Sequence, residues 1–283
     1  MYIPILGALA LAGGTVFERF VLKKKKIGIR LYQTACFLAI VLAMLPFIYF
    51  FWRVDSGALT LGNILILGLV ILLSLIANAF VFYSMKWEKI SNLEPARIME
   101  PIFTILLAII FSYFIAGGLY SRNSHIVIPA FIAAFALIFS HMRKHHVHFN
   151  KYFLAAIVGS FFFAAELVVS QLILSNYSPL SFYFIRSASI FLVSLIVFRP
   201  NFGALNKKIG LQIFITGAIW VVYRLAVYYG YQHLGIISTT LVILLGPVFI
   251  YFFAWKFLKE KLNWKNIVAA IVIVGAVLYG IFG

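Results

Sequence analysis

Acidic residues are scarce: seven Asp and Glu stand against 23 Lys and Arg in 283 residues. Only 11% of the chain is charged, where a soluble domain carries about a quarter. With 64% hydrophobic residues, this excludes an ordinary water-soluble domain and indicates a polytopic membrane protein. There is one cysteine, Cys36, inside an apolar run, so no internal disulfide framework can form. No P-loop, glycine-rich phosphate cradle or catalytic triad occurs, which argues against ATP-driven transport and against an enzyme. No cofactor is expected. No cleavable signal peptide is evident either. The first apolar run, Tyr2 to Leu22, ends in Lys23–Lys26 and reads as a membrane helix with its flank.

What the chain does contain is apolar runs of spanning length. Runs near twenty residues fall at 3–22, 30–51, 61–84, 96–116, 126–141, 150–174, 178–198, 209–231, 236–257 and 265–282. The pattern predicts an all-α integral membrane protein with ten transmembrane helices. The fifth run is the shortest and borders the lower length limit. Loops on one side hold 17 Lys and Arg, and the opposite loops hold only Arg53 and Arg122. The basic side is therefore predicted to be cytoplasmic, with both termini outside, in a prokaryotic inner or plasma membrane. The net charge of +16 belongs to these loops and not to nucleic-acid binding.

The chain divides near residue 146. Tyr83 to Phe103, with Pro101, parallels Tyr229 to Phe249, with Pro247, at an offset of 146. The same offset pairs Asn78 with Arg224, and an offset of 148 pairs Glu18 with Glu166. Residues 1–145 and 146–283 each hold five runs. An odd number forces the second half to enter the membrane inverted, and inverted repeats with a site between them characterise secondary transporters.

Gly246-Pro-Val-Phe249, then Phe257-Leu-Lys-Glu-Lys-Leu-Asn-Trp-Lys-Asn-Ile267, then a final apolar run containing Gly275, resemble the drug/metabolite transporter superfamily, EamA type. Lys259-Glu260-Lys261 stands at that family's acidic-basic turn. In the first half, Gly117 to Arg122 lacks the acidic residue. The resemblance implies a ten-helix transporter from a family with diverse substrates: amino acids, nucleotide sugars, drugs and lipid-linked intermediates.

Glu94-Pro-Ala-Arg-Ile-Met-Glu-Pro101 places ionisable groups and two prolines where the fourth helix begins. Glu94, Arg97 and Pro101 share one helical face. Pro101 lacks an N–H, which frees the carbonyl of Arg97 and suggests a hinge, with Pro247 as its counterpart. Charges on such a face suit a protein-lined cavity and not lipid. The alternative is a helix start whose charges reach the interface.

Glu166, Arg186 and Arg224 lie deep in apolar segments, roughly 9–15 Å from the outer ends of their helices. Glu166 could bind a proton or an amine, and the arginines a carboxylate or phosphate. They could equally form a fixed ion pair bracing helices. Glu18 and Arg19 are adjacent, so at most one faces a cavity. The candidate binding set is Glu18, Asn78, Arg97, Glu100, Glu166, Tyr183, Arg186, Tyr223 and Arg224. Tyr223, Tyr228, Tyr229 and Tyr231 could cage an amine around Arg224, although belt and packing roles account for aromatics more simply. His141 to His148 holds four histidines without acidic or cysteine support, so lipid headgroup contact is favoured over metal binding.

The sequence therefore predicts a secondary transporter of small polar or zwitterionic metabolites such as amino acids. It would work by alternating access, with protons or another ion as coupling partner, as a monomer or homodimer in the lipid bilayer. The alternatives are a flippase or exporter for a lipid-linked or phosphorylated headgroup, and a membrane enzyme or structural protein.

Overall fold

A computed structural model of the protein describes residues 2–22, 27–88, 93, 96–97, 99–115, 120, 124–141, 150–258 and 264–282. The Lys23–Lys26 loop, Glu94 and most of the His141–His148 cluster lie outside the described residues, as do the side chains of Arg19 and His141.

The helices are α1 (Tyr2–Leu22), α2 (Ile29–Phe51), α3 (Leu61–Trp87), α4 (Met99–Phe114), α5 (Ser124–His141), α6 (Lys151–Leu174), α7 (Pro179–Phe198), α8 (Lys207–Leu234), α9 (Ile236–Ile243), α10 (Leu245–Leu258) and α11 (Trp264–Phe282). Among the described residues there is no strand, only an isolated bridge between Val54 and Tyr177. Helices α2, α3, α6, α7 and α8 are long and apolar enough to cross a bilayer, and the others carry shorter apolar segments. Leu65, Leu69, Ile196 and Ile271 are among many exposed large apolar side chains, an outer surface suited to lipid and not to water. This is an integral multi-pass membrane protein.

Local chemistry sets the helix ends. The Asn150 carboxamide accepts from Tyr152 N and Phe153 N, Ser178 Oγ accepts from Ser181 N ahead of Pro179, and Asn206 Oδ1 accepts from Ile209 N. Each satisfies N–H groups that the first turn leaves unpaired. Gly235, at φ 81°, turns the chain between α8 and α9, a backbone conformation that other residues rarely adopt.

The ninth apolar run, predicted as one helix over 236–257, is two helices interrupted at Leu244. Pro247 has no N–H for the carbonyl of Ile243, the last residue of α9, so the ladder fails there. In the first half, Pro101 of α4 stands 146 positions before Pro247 of α10.

Helices pack across the halves of the chain. The main pairs are α3 with α6, α1 with α8, α5 with α11, and α2 with α7 and α8. Helix α4 also packs on α6, and α1 on α10. In lipid, close backbone approach through small residues drives such packing. A Cβ on Gly159 would lie 2.7 Å from Val81 Cγ2 and 3.3 Å from the carbonyl oxygen of Ala77. A Cβ on Gly217 would meet the α2 backbone at Ile40 N, 3.0 Å away.

One end of the bundle is clasped by the α2–α3 and α6–α7 connections. Ser178 N donates to Arg53 O and Asp55 N to Asn176 O, both at 2.9 Å. The Arg53 guanidinium donates to Ser175 O at 3.1 Å, and Gln232 Nε2 donates to Leu174 O and Tyr177 O at 2.8 Å.

Candidate functional site

Glu166, fully buried on α6, is the hub of an ionic network. Its Oε1 faces Arg186 Nε at 3.1 Å and accepts from Tyr228 OH at 3.0 Å. Its Oε2 lies 3.5 Å from an Arg224 terminal nitrogen. The Ser170 hydroxyl, one turn on, is 3.3 Å from Oε1 but closer, 2.7 Å, to the Glu166 carbonyl, to which its single proton goes. Arg186 Nε also donates to Ser74 Oγ at 2.9 Å. The Arg186 guanidinium sits 5.6 Å from the Tyr183 ring centre, and that of Arg224 sits 5.5 Å from Tyr223 and 5.4 Å from Phe163. An aromatic face stabilises a cation at such distances. One carboxylate thus serves two guanidiniums, and a net positive charge is left on this side.

That charge borders a cavity of about 70 Å³. Glu18, Asn78, Arg97, Glu100, Tyr183, Arg186, Tyr223 and Arg224 all line it. Glu18 is nearly buried and accepts from Tyr32 OH at 3.4 Å. The Asn78 amide donates to Ser74 O at 2.7 Å. Three carboxylates, on Glu18, Glu100 and Glu166, therefore oppose three guanidiniums, on Arg97, Arg186 and Arg224.

A second chamber of about 120 Å³ adjoins the first. Its walls include Thr15, Thr104, Tyr231 and Thr240 with Leu137, Val227, Ile243, Leu244 and Ile250, and both Pro101 and Pro247 border it. Leu11, Arg97, Glu100 and Tyr223 line both chambers, so they form the neck between them.

All nine residues singled out in the sequence fall together here. Eight line the first chamber, and Glu166 lies behind them holding two of the arginines. The tyrosine group around Arg224 disperses. Tyr223 faces Arg224, Tyr228 donates to Glu166, Tyr231 lines the other chamber, and Tyr229 stacks on His233 at 4.0 Å. Successive helical residues point about 100° apart, so four neighbours could not share one face. Ser74, Ser170 and Tyr228 were missed as polar partners. Each stands four residues from a recognised one (Asn78, Glu166 and Arg224), the spacing that shares a helical face. Among the described residues no cluster of three His, Cys, Asp or Glu could hold a metal.

Residues 150–281 match the EamA-like transporter family, the family that the 246–275 pattern resembles. Members of that family are membrane transporters of the drug/metabolite type. Comparison with curated proteins gives no match. Among 28 matching chains of solved structures, one crystal structure superimposes with a TM-score of 0.71 at 14% identity. The superposition covers 98% of this chain and 93% of the other and shows a shared fold.

Proposed function

We propose that this chain, which carries the EamA-like transporter family pattern over its second half, is a secondary transporter of small polar or zwitterionic metabolites. The observation that carries this reading is a central cavity whose charged lining comes from both halves of the chain: Glu18, Arg97 and Glu100, with the neutral Asn78, from the first, Arg186 and Arg224 from the second. Ionisable groups inside an apolar bundle mark substrate or ion pathways.

Alternating access would come from two five-helix halves, 1–145 and 146–283, moving against one another, with hinges at Pro101 and Pro247. Two features support it. Pro101 of α4 and Pro247 of α10 stand 146 positions apart. The packing of α3 on α6 and of α1 on α8 is the exchange that a pseudo-two-fold between the halves would generate. A phosphorylated or lipid-linked headgroup would need arginines free of acidic neighbours, whereas Arg186 and Arg224 both face Glu166.

The test is counterflow in proteoliposomes loaded with mixed metabolites, with and without a pH gradient. Uptake that depends on Arg97 and Glu100 supports the reading. Absence of counterflow for every solute class overturns it.

A further inference from the structure

Two side chains do the same job at opposite ends of the bundle. Lys86, near the end of α3, donates from Nζ to Leu22 O at 3.1 Å and to Ile27 O at 2.7 Å, on the α1–α2 turn. Gln232, 146 positions on and near the end of α8, donates to Leu174 O and Tyr177 O, on the α6–α7 turn. Ile27 and Tyr177 each stand two residues before the helix that follows, α2 or α7. The next residues match in backbone as well: Gly28 has φ −76° and ψ 154°, Ser178 φ −72° and ψ 154°. The spacing of 146 also relates the α2–α3 connection to the α7–α8 connection. It pairs Arg53 with Arg199, Asp55 with Asn201, the 3₁₀ turn starting at Ser56 with that at Phe202, and the helix starts Leu61 and Lys207.

The two ends differ in what holds them. Tyr177 O accepts from Gln232 and, at 3.4 Å, from the Arg53 guanidinium, while Arg53 O accepts from Ser178 N. At the other end Ile27 O accepts from Lys86, and a carbonyl has two lone pairs. There the exposed Arg199 side chain donates no hydrogen bond among the described residues. Arg199 instead caps α7 at φ 42° and ψ 56°, the one non-glycine residue with positive φ among the described residues. A Cβ makes that conformation unfavourable. Hinges are often residues at element ends that take up a large φ/ψ change.

We propose that Arg199 is the arginine of a second clasp, at the end opposite Arg53. It closes when Arg199 leaves the left-handed region. Its guanidinium then donates to Ile27 O beside Lys86, and Gly28 N donates to its carbonyl, as Ser178 N does to Arg53 O. Pro200 matches Val54 in this register and is no obstacle. The hydrogen bonds flanking Val54 come from Ser178 N and Asp55 N, so an N–H at that position is not needed. The proposal rests on the alternating-access reading above and names the contacts that close the second end. In a chain that alternates, weakening one clasp shifts the population toward the other.

The test is oxidative cross-linking of the full chain in proteoliposomes, in a Cys36→Ala background. Ile27→Cys/Pro200→Cys, the positions matching Tyr177 and Val54, should cross-link on mild oxidation. Adding Arg53→Ala should raise the cross-linked fraction about threefold, and adding Arg199→Ala should lower it about threefold. Arg199→Lys should lower it too, because an ammonium lacks the guanidinium fork. Should the pair fail to fold, Gly28→Cys serves, since a Cβ there meets nothing within 4 Å. Its labelling by a maleimide should slow about threefold with Arg53→Ala, but not with Arg53→Ala/Arg199→Ala. Cross-linking or labelling that ignores Arg199 would overturn the proposal. So would no cross-link under conditions that join the Val54→Cys/Tyr177→Cys pair, and counterflow persisting in that protein leaves the transporter reading standing. Arg199-dependent cross-linking without counterflow of any solute would overturn the transporter reading and leave the second clasp intact.

Discussion

Arg186 on α7 donates its Nε–H to Ser74 Oγ on α3 at 2.9 Å, linking residues 112 positions apart. The same nitrogen lies 3.1 Å from Glu166 Oε1, so the guanidinium donates to a hydroxyl from the first half while it ion-pairs with a carboxylate from the second.

Glu166→Gln should destabilise the protein, because two guanidiniums then lose their common counter-charge. Removing one partner of a buried ion pair costs about 3–5 kcal/mol. A lowered melting temperature is expected, partly restored in Glu166→Gln/Arg224→Gln, which has one uncompensated charge fewer. An unchanged melting temperature in Glu166→Gln would show that the cluster does not brace the fold.

Gly217→Ala should lower stability by about 1–3 kcal/mol, the usual cost of overpacking. Its Cβ would press on the α2 backbone, which cannot rotate away as a side chain can. Gly68→Ala meets nothing within 4 Å and should be neutral, or stabilising by up to ~1 kcal/mol through helix propensity. Thermal unfolding of the two variants side by side separates local packing from a general intolerance of alanine.

The clasp at the Arg53 end offers a lock. Hydrogen bonds from Ser178 N to Arg53 O and from Asp55 N to Asn176 O flank Val54 and Tyr177 as a non-hydrogen-bonded antiparallel pair. Such pairs have Cα atoms about 4.5 Å apart, within disulfide range. Val54→Cys/Tyr177→Cys in a Cys36→Ala background should cross-link on mild oxidation, stop counterflow, and recover with reductant. Full transport in the cross-linked protein would mean that this end never opens.

Sidedness is open to a direct probe. Gly283→Cys, again with Cys36→Ala, should react with an impermeant maleimide added to intact cells, as the 17-to-2 loop bias requires. Reaction only after lysis would place that terminus in the cytoplasm.

Helix positions were legible because each apolar run is itself the physical cause of a helix in lipid. The gathering of Glu166, Arg186 and Arg224 was legible too, since equal depth on neighbouring helices leaves charged groups few partners but one another. Three things were not. The interruption at Leu244 depends on which carbonyl Pro247 deprives, and apolar runs do not report that. The dispersal of Tyr223, Tyr228, Tyr229 and Tyr231 follows from helical angle, which proximity in sequence hides. The neck at Arg97 and Glu100 depends on where two chambers meet, a property of packing between helices distant in the chain.

The interleaving of α1 with α8 and of α3 with α6 bears on how the chain is made. While only the first half has left the ribosome, the α1 face bearing Glu18 keeps Tyr32 of α2 but lacks α8, and the α3 face bearing Ser74 and Asn78 lacks α6 and Arg186. Those faces then meet lipid or the insertion machinery until the second half arrives. A nascent chain arrested near residue 145 should therefore stay bound to its insertase, or be degraded, and not accumulate as a stable half.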